Sequence, residues 1–78
     1  MMIRNPRNPR FVERLEAKRR ELGLSHSEFA VLMGLDMGNW AHIRAGRRGL
    51  TMMQVQRAIA KWPELGGTFL AETLRTAV

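Results

Sequence analysis

The chain has 78 residues, no cysteine and two histidines, and its formal net charge at pH 7 is +6. This length fits one domain near the lower limit for folding without cross-links, and the lack of cysteine excludes disulfides and cysteine-based metal sites. Two isolated histidines with few acids nearby do not make a zinc site. We therefore expect a single helical domain that holds no metal and no other cofactor.

The positive charge is concentrated near the N-terminus, where residues 1–20 contain seven cations and two acids. Such asymmetry favours a polyanionic partner, either nucleic acid or an anionic membrane surface, and the alternative is a merely solvated basic surface. No apolar run approaches the roughly 18 residues of a membrane span, and the N-terminus has no apolar leader. We expect an intracellular, cytoplasmic protein without a membrane partner.

The first predicted element is a flexible basic arm over residues 1–8, followed by a domain over residues 9–78. Pro6 in the arm and Pro9 directly after it disfavour a helix in the arm. Three arginines recur at every third position, which suits an arm that follows phosphates or enters a narrow minor groove. The alternative is a solubilising tail. These arginines are Arg4, Arg7 and Arg10.

Helix 1 is predicted from Pro9 to Leu22, because Asn8-Pro9 has the pattern of a helix cap followed by a first helical residue. Gly23 is expected to end the helix in a left-handed conformation. The helical spacing of apolar residues predicts which side chains face inward. They are Phe11, Val12, Leu15 and Leu22.

Helix 2 is predicted to begin after Ser25, which forms a capping-box pattern with Glu28. It should reach about Met33, and Gly34 should then allow the backbone to reverse within a few residues. The residues expected in the core are Phe29, Ala30, Leu32 and, after the turn, Leu35.

Helix 3 is predicted over residues 37–45, with Asp36 as its cap and Gly46 at its end. Trp40 and Ile43 lie three residues apart and should pack one face of this helix against helices 1 and 2. A helix with one uncovered face has the dimensions that the major groove of DNA accepts. The uncovered face is expected to carry Met37, Gly38, Ala41, His42 and Ala45.

Helix 4 is predicted to begin after Thr51, which forms a second capping-box pattern with Gln54. Pro63 should end this helix. An apolar stripe at helical spacing is expected to face the core. It consists of Met52, Val55, Ile59 and Trp62.

A flexible joint is expected at Gly66-Gly67, followed by helix 5, which Thr68 caps and which reaches about Thr76. No segment shows the strict alternation of a strand, so the fold class is all-α with four or five helices. The large apolar residues of this region either complete the small core or pair with a second copy in a two-fold dimer. They are Trp62, Leu65, Phe69, Leu70 and Leu74.

Residues 14–62 resemble the Cro and repressor-type (lambda repressor-like) helix-turn-helix family of phage and bacterial transcription regulators. The residues that carry this resemblance are Arg14-Leu15, Lys18-Arg19, Leu22-Gly23-Leu24-Ser25, Glu28-Phe29-Ala30, Gly34-Leu35, Ile43 and Gly46-Arg47-Arg48. The resemblance implies a compact helical domain that binds double-stranded DNA, usually as a homodimer on an inverted repeat.

The resemblance also implies roles for individual residues in the range 14–62, and the arginine spacing of the N-terminal arm adds Arg4, Arg7 and Arg10 to the predicted backbone contacts. Base contacts would come from the outward face of helix 3, through Met37, Gly38, Ala41 and His42. Backbone contacts would come from Arg47, Arg48, His26, Asn39, Arg4, Arg7 and Arg10. His42 suits a guanine acceptor edge, whereas Asn39 suits either a bidentate adenine contact or a phosphate.

Several positions depart from the family pattern, and two of them bear on the packing of helix 3. Trp40 replaces the usual Ile or Val, so it either needs extra room or protrudes at the rim of the core. Arg44 stands where the family often has an acid that pairs with an arginine matching Arg19. Because both positions are basic here, Glu16 is the substitute partner for either arginine.

Two rival functions are consistent with the sequence. One is an antitoxin-like interaction module whose C-terminal region masks a protein toxin. The other is a basic protein that coats nucleic acid without specificity, which the scarcity of long polar side chains on helix 3 favours. An enzyme is not expected, because no activated nucleophile, carboxylate pair, phosphate loop or metal cluster is evident.

Overall fold

A computed structural model describes the backbone of residues 8–77 and the side chains of residues 8–74. This range forms five α-helices and no strand, which confirms the all-α fold class. No helix among these residues is both long and apolar enough to cross a bilayer. The helices are α1 (Pro9–Leu22), α2 (His26–Met33), α3 (Met37–Arg44), α4 (Met52–Lys61) and α5 (Leu65–Ala77).

The predicted caps of three helices are confirmed. Ser25 Oγ accepts from the backbone N–H of Glu28 at 3.0 Å, and Glu28 Oε1 accepts in return from the Ser25 N–H at 2.8 Å. Thr51 heads α4 with the same reciprocal arrangement. Asp36 Oδ1 accepts from the Asn39 N–H at 2.7 Å and so fixes the start of α3. These caps satisfy backbone donors that a helix start leaves unpaired.

Aromatic side chains form the centre of the core. Phe29 on α2 lies between two indoles, with ring centroids 5.2 Å from Trp40 and 5.8 Å from Trp62. Phe11 on α1 meets Phe69 on α5 edge to face at 5.6 Å. Trp40 is fully buried, so the extra volume at this position is accommodated inside the core and does not protrude at its rim.

Two predicted core positions are wrong. Leu22, in the last turn of α1, and Met52, in the first turn of α4, are 48% and 57% exposed. Leu32 is partly buried and packs against the core, and the next residue, Met33, is buried as well. The helical spacing of apolar residues thus predicted which face of each helix is buried, but not how far along the helix the burial extends.

The predicted joint before helix 5 is also wrong. Gly66-Gly67 lies inside α5, which begins at Leu65, so Thr68 does not cap the helix. Leu65 is fully buried, and a Cβ at Gly66 would lie 3.6 Å from Ile59 Cγ2 on α4. Packing against α4 therefore holds the first turn of α5 helical despite the low helix propensity of glycine.

An ion pair links α1 to the turn before α5. Lys18 Nζ lies 2.8 Å from Glu64 Oε2 and 3.0 Å from Glu21 Oε1. The hydrogen bond to Glu64 raises the pKa of Lys18, and the same bond lowers the pKa of the Glu64 carboxyl group. The pKa of Glu64 is lower in the folded protein than in the unfolded chain. The ionised carboxylate therefore stabilises the fold at pH values above the ordinary pKa of glutamate, and this stabilisation is lost as the pH falls through the lowered pKa.

We expect Glu64→Gln to lower the melting temperature slightly at neutral pH, as is usual for an exposed ion pair. The difference from wild type should shrink as the pH is lowered through the titration range of Glu64, because the wild-type carboxylate is then protonated too. Thermal unfolding of both proteins over a pH series measures this. If the difference in melting temperature between the two proteins stays constant with pH, the ion pair is not the cause of that difference.

Candidate nucleic-acid interface

Helix α3 has one face in the core and one in solvent. Trp40 and Ile43 anchor the inner face, and both are buried. The residues predicted for the outer face do lie together on the opposite side, where Ala41 is half-buried and the others are exposed. The exposed members are Met37, Gly38, His42 and Ala45.

The turn between α2 and α3 is only three residues long. Gly34 adopts φ +73°, and the Leu35 N–H donates to the Ala30 carbonyl at 2.8 Å. A Cβ at Gly34 would lie 2.6 Å from Arg57 Nη1, so the guanidinium of α4 covers this turn. Glycine is thus favoured here by its backbone conformation. The contact with Arg57 was not indicated by the sequence, and the end of this exposed side chain can shift to make room for a Cβ.

His26, at the first position of α2, is held by the core tryptophan. Trp40 Nε1 donates a hydrogen bond to His26 Nδ1 at 3.2 Å. A neutral imidazole that accepts at Nδ1 carries its hydrogen on Nε2. This hydrogen bond therefore links the start of α2 to α3. The Nε2–H group of His26 remains available to donate to an acceptor outside the protein.

The loop after α3 folds back onto that helix. Gly46 has φ +81°, and the Arg47 N–H donates to the His42 carbonyl at 3.0 Å. Arg47 Nε then donates to His42 Nδ1 at 3.0 Å. Arg48 Nη1 donates to Asn39 Oδ1, also at 3.0 Å. We call these four side chains, His42, Asn39, Arg47 and Arg48, the α3 polar cluster.

Arg44 faces the protein. Its Nε lies 3.6 Å from Glu16 Oε2, and its guanidinium lies 5.8 Å from the Trp40 ring centroid. The other carboxylate oxygen of Glu16 accepts from Arg19 Nε at 3.1 Å. Glu16 is thus confirmed as the substitute partner, and it serves both arginines at once.

The five apolar residues considered for dimerisation differ in how much of each side chain is exposed. Leu65 is fully buried and belongs to the core, while Trp62 and Phe69 are half-buried. Leu70 and Leu74 are each 58% exposed and lie one turn apart on α5. Leu65 has no surface with which to meet a second copy, so the accessible apolar surface of this group is centred on Leu70 and Leu74.

The arginines of the N-terminal arm are described only in part. Arg4 and Arg7, with the rest of residues 1–7, lie outside the described residues. Arg10 is exposed in the first turn of α1. Its backbone N–H donates at 2.9 Å to a carboxylate oxygen of Glu72 on α5.

Glu72 is a buried residue that the sequence analysis missed. Its second oxygen accepts from the Phe11 N–H at 3.0 Å, so one carboxylate caps the start of α1. Asn8 occupies the predicted cap position, but it has φ +49° and makes no side-chain cap bond, so that prediction is wrong. The available signal was spacing, because Glu72 follows Leu65 by seven residues and therefore shares its buried face.

No family model matches the sequence, and no curated protein or solved structure gives a significant match. No family is assigned to the chain on these comparisons.

Proposed function

We propose that the protein binds double-stranded DNA in a sequence-specific manner and regulates transcription, as a small repressor does. The observation that carries this proposal is the exposed face of α3 flanked by the exposed arginines Arg47 and Arg48. An α-helix fits the major groove, and guanidinium groups match the geometry of phosphate oxygens.

The proposal gives each part of this surface a role. Met37 and Ala41 would contact thymine methyl groups, and His42 would donate to a base edge. Gly38 would let the helix backbone approach the bases closely. Contacts to the DNA backbone would come from Arg47, Arg48 and the Nε2–H of His26, with the arm arginines following the adjacent groove. Asn39 would bind either a phosphate or the edge of a base.

We further propose that two copies bind together. Leu70 and Leu74 supply an exposed apolar surface on α5 that a second copy would cover. A two-fold dimer reads an inverted repeat, with half-sites about 34 Å apart, or one turn of DNA. Transcription would be repressed where such a repeat overlaps a promoter.

Selection of bound duplexes from a randomised library at near-physiological salt tests this function. We expect an enriched inverted repeat, and binding to it should weaken with salt by about 0.9 decade in affinity per decade of salt for each phosphate neutralised. The double variant Arg47→Ala/Arg48→Ala should weaken binding to all duplexes and reduce this slope by about 1.8 per subunit.

The matched control is Lys61→Ala, which removes an exposed cation from the end of α4 distant from the α3–α4 loop. Its salt slope should stay at the wild-type value. Tight binding at low salt without any enriched sequence would contradict specific recognition and favour a non-specific coating protein. An equal slope reduction in the control and in each single arginine variant would contradict the proposed interface.

A further inference from the structure

Helix α3 contributes two side chains to the α3 polar cluster, His42 and Asn39. In each of them the acceptor atom takes a hydrogen bond from an arginine of the loop that follows α3. We propose that Arg47 and Arg48 set the base preference of α3 through these two contacts, by making His42 and Asn39 act as donors. The inference rests on the proposed DNA-binding function and deepens it by naming the bases favoured and disfavoured at two positions.

His42 shows the effect most simply. A neutral imidazole has one donor and one acceptor, and Arg47 Nε occupies the acceptor Nδ1 at 3.0 Å. His42 therefore presents only Nε2–H outward. In the major groove guanine offers two acceptors, N7 and O6, whereas cytosine offers a donor amino group. The geometry thus favours guanine opposite His42 and disfavours cytosine.

Asn39 is restricted in a parallel way. A bidentate adenine contact requires the Asn oxygen to accept from N6 and the Asn amide to donate to N7. Here Asn39 Oδ1 already accepts from Arg48 Nη1 at 3.0 Å. The oxygen has a second lone pair, but the adjacent guanidinium repels the partial positive charge of an adenine amino group. Asn39 is left with its amide donors, which suit a phosphate or a guanine acceptor.

The same arginines remain able to bind phosphate. A guanidinium has five N–H donors, and the contact with His42 uses only Nε of Arg47. Its two terminal nitrogens are not used in that contact and are available to a phosphate oxygen. Arg47 is therefore a positioning residue, since it would join a backbone contact to the orientation of the base-reading side chain.

The single variants Arg47→Ala and Arg48→Ala are controls for each other, because each removes one cation from the same loop. Both should reduce the salt slope by about 0.9 per subunit. Only Arg47→Ala should reduce the preference for guanine over cytosine opposite His42, by about tenfold. Only Arg48→Ala should raise acceptance of adenine opposite Asn39. Relative affinities for a randomised duplex library measure both preferences.

Nitrogen-15 spectra of the imidazoles test the same contact without DNA. In wild type the imidazole of His42 should carry its hydrogen on Nε2, and Arg47→Ala should shift it toward a mixture of tautomers. His26 is the internal reference, because its Nδ1 accepts from Trp40 Nε1 and this bond does not involve Arg47.

Base preferences that stay unchanged in both variants, with only a uniform loss of affinity, would overturn the inference. So would a His42 tautomer that does not respond to Arg47→Ala. Either result, obtained with an enriched inverted repeat, leaves the DNA-binding function standing. A library in which no duplex is enriched removes that function and the inference with it, whatever the imidazole spectra show.

Discussion

Replacing Trp40 with alanine is expected to destabilise the protein by about 3–5 kcal/mol, a large fraction of the roughly 5–15 kcal/mol that stabilises a typical domain. Trp40 is fully buried and packs 5.2 Å from Phe29, measured between ring centroids. It also donates to His26 at 3.2 Å. Alanine would leave a large cavity between α2 and α3 and remove the donor that holds His26.

Urea unfolding followed by far-ultraviolet circular dichroism measures this effect. Trp40→Phe is the matched variant, since it keeps an aromatic ring against Phe29 but loses the indole N–H, and it should cost about 1–2 kcal/mol. Val31→Ala, at a side chain that is 77% exposed, is the surface control and should stay within about 0.5 kcal/mol of wild type. A loss below about 1 kcal/mol for Trp40→Ala would contradict this account of the core.

The local parts of the fold were predictable because their causes lie within a few residues. Ser25, Asp36 and Thr51 each accept from a backbone N–H three residues later, so their caps are visible in the sequence. The three-residue spacing of Trp40 and Ile43 likewise placed the inner face of α3. These signals need no knowledge of how distant segments pack.

The errors share the opposite cause. Gly66-Gly67 is helical because Leu65 is buried against the core, and nothing within α5 alone indicates this. Asn8 lost its expected role as a cap to Glu72, which is separated from it by almost the whole chain. Tertiary contacts override a local preference in both cases, and a single sequence does not reveal them.

The candidate interface shows the same division. The exposed face of α3 followed from helical periodicity, so His42 could be placed there from the sequence. Its pairing with Arg47 could not, because the pairing depends on how the chain turns at Gly46 after the helix. The turn converts two separate candidates into one hydrogen-bonded unit. The base that this unit would prefer is a consequence of that geometry rather than of residue identity alone.

The second large effect is expected from Glu72→Ala, with a loss of about 2–4 kcal/mol. Each oxygen of this buried carboxylate accepts one backbone N–H at the start of α1, from Arg10 at 2.9 Å and from Phe11 at 3.0 Å. Hydrogen bonds to a charged acceptor are stronger than neutral ones, and alanine would leave both donors without it. Chemical unfolding gives the free energy. Glu13→Ala, at an exposed acid on α1, is the control and should change stability by less than about 0.5 kcal/mol.

The loss of stability from Glu72→Ala should also be uneven along the chain, because this carboxylate joins only α5 and the start of α1. Native-state hydrogen exchange should show amides of α5 and the first turn of α1 opening well before those of α2 and α3. Glu72→Gln keeps one neutral acceptor oxygen and should lie between alanine and wild type. Equal acceleration of hydrogen exchange in all helices would show that Glu72 stabilises the whole core and not only the contact between α5 and the start of α1. Selective opening would mean that the first turn of α1 and the exposed Leu70–Leu74 surface both depend on the Glu72 side chain. We would then expect Glu72→Ala to weaken the proposed DNA binding without any change in α3.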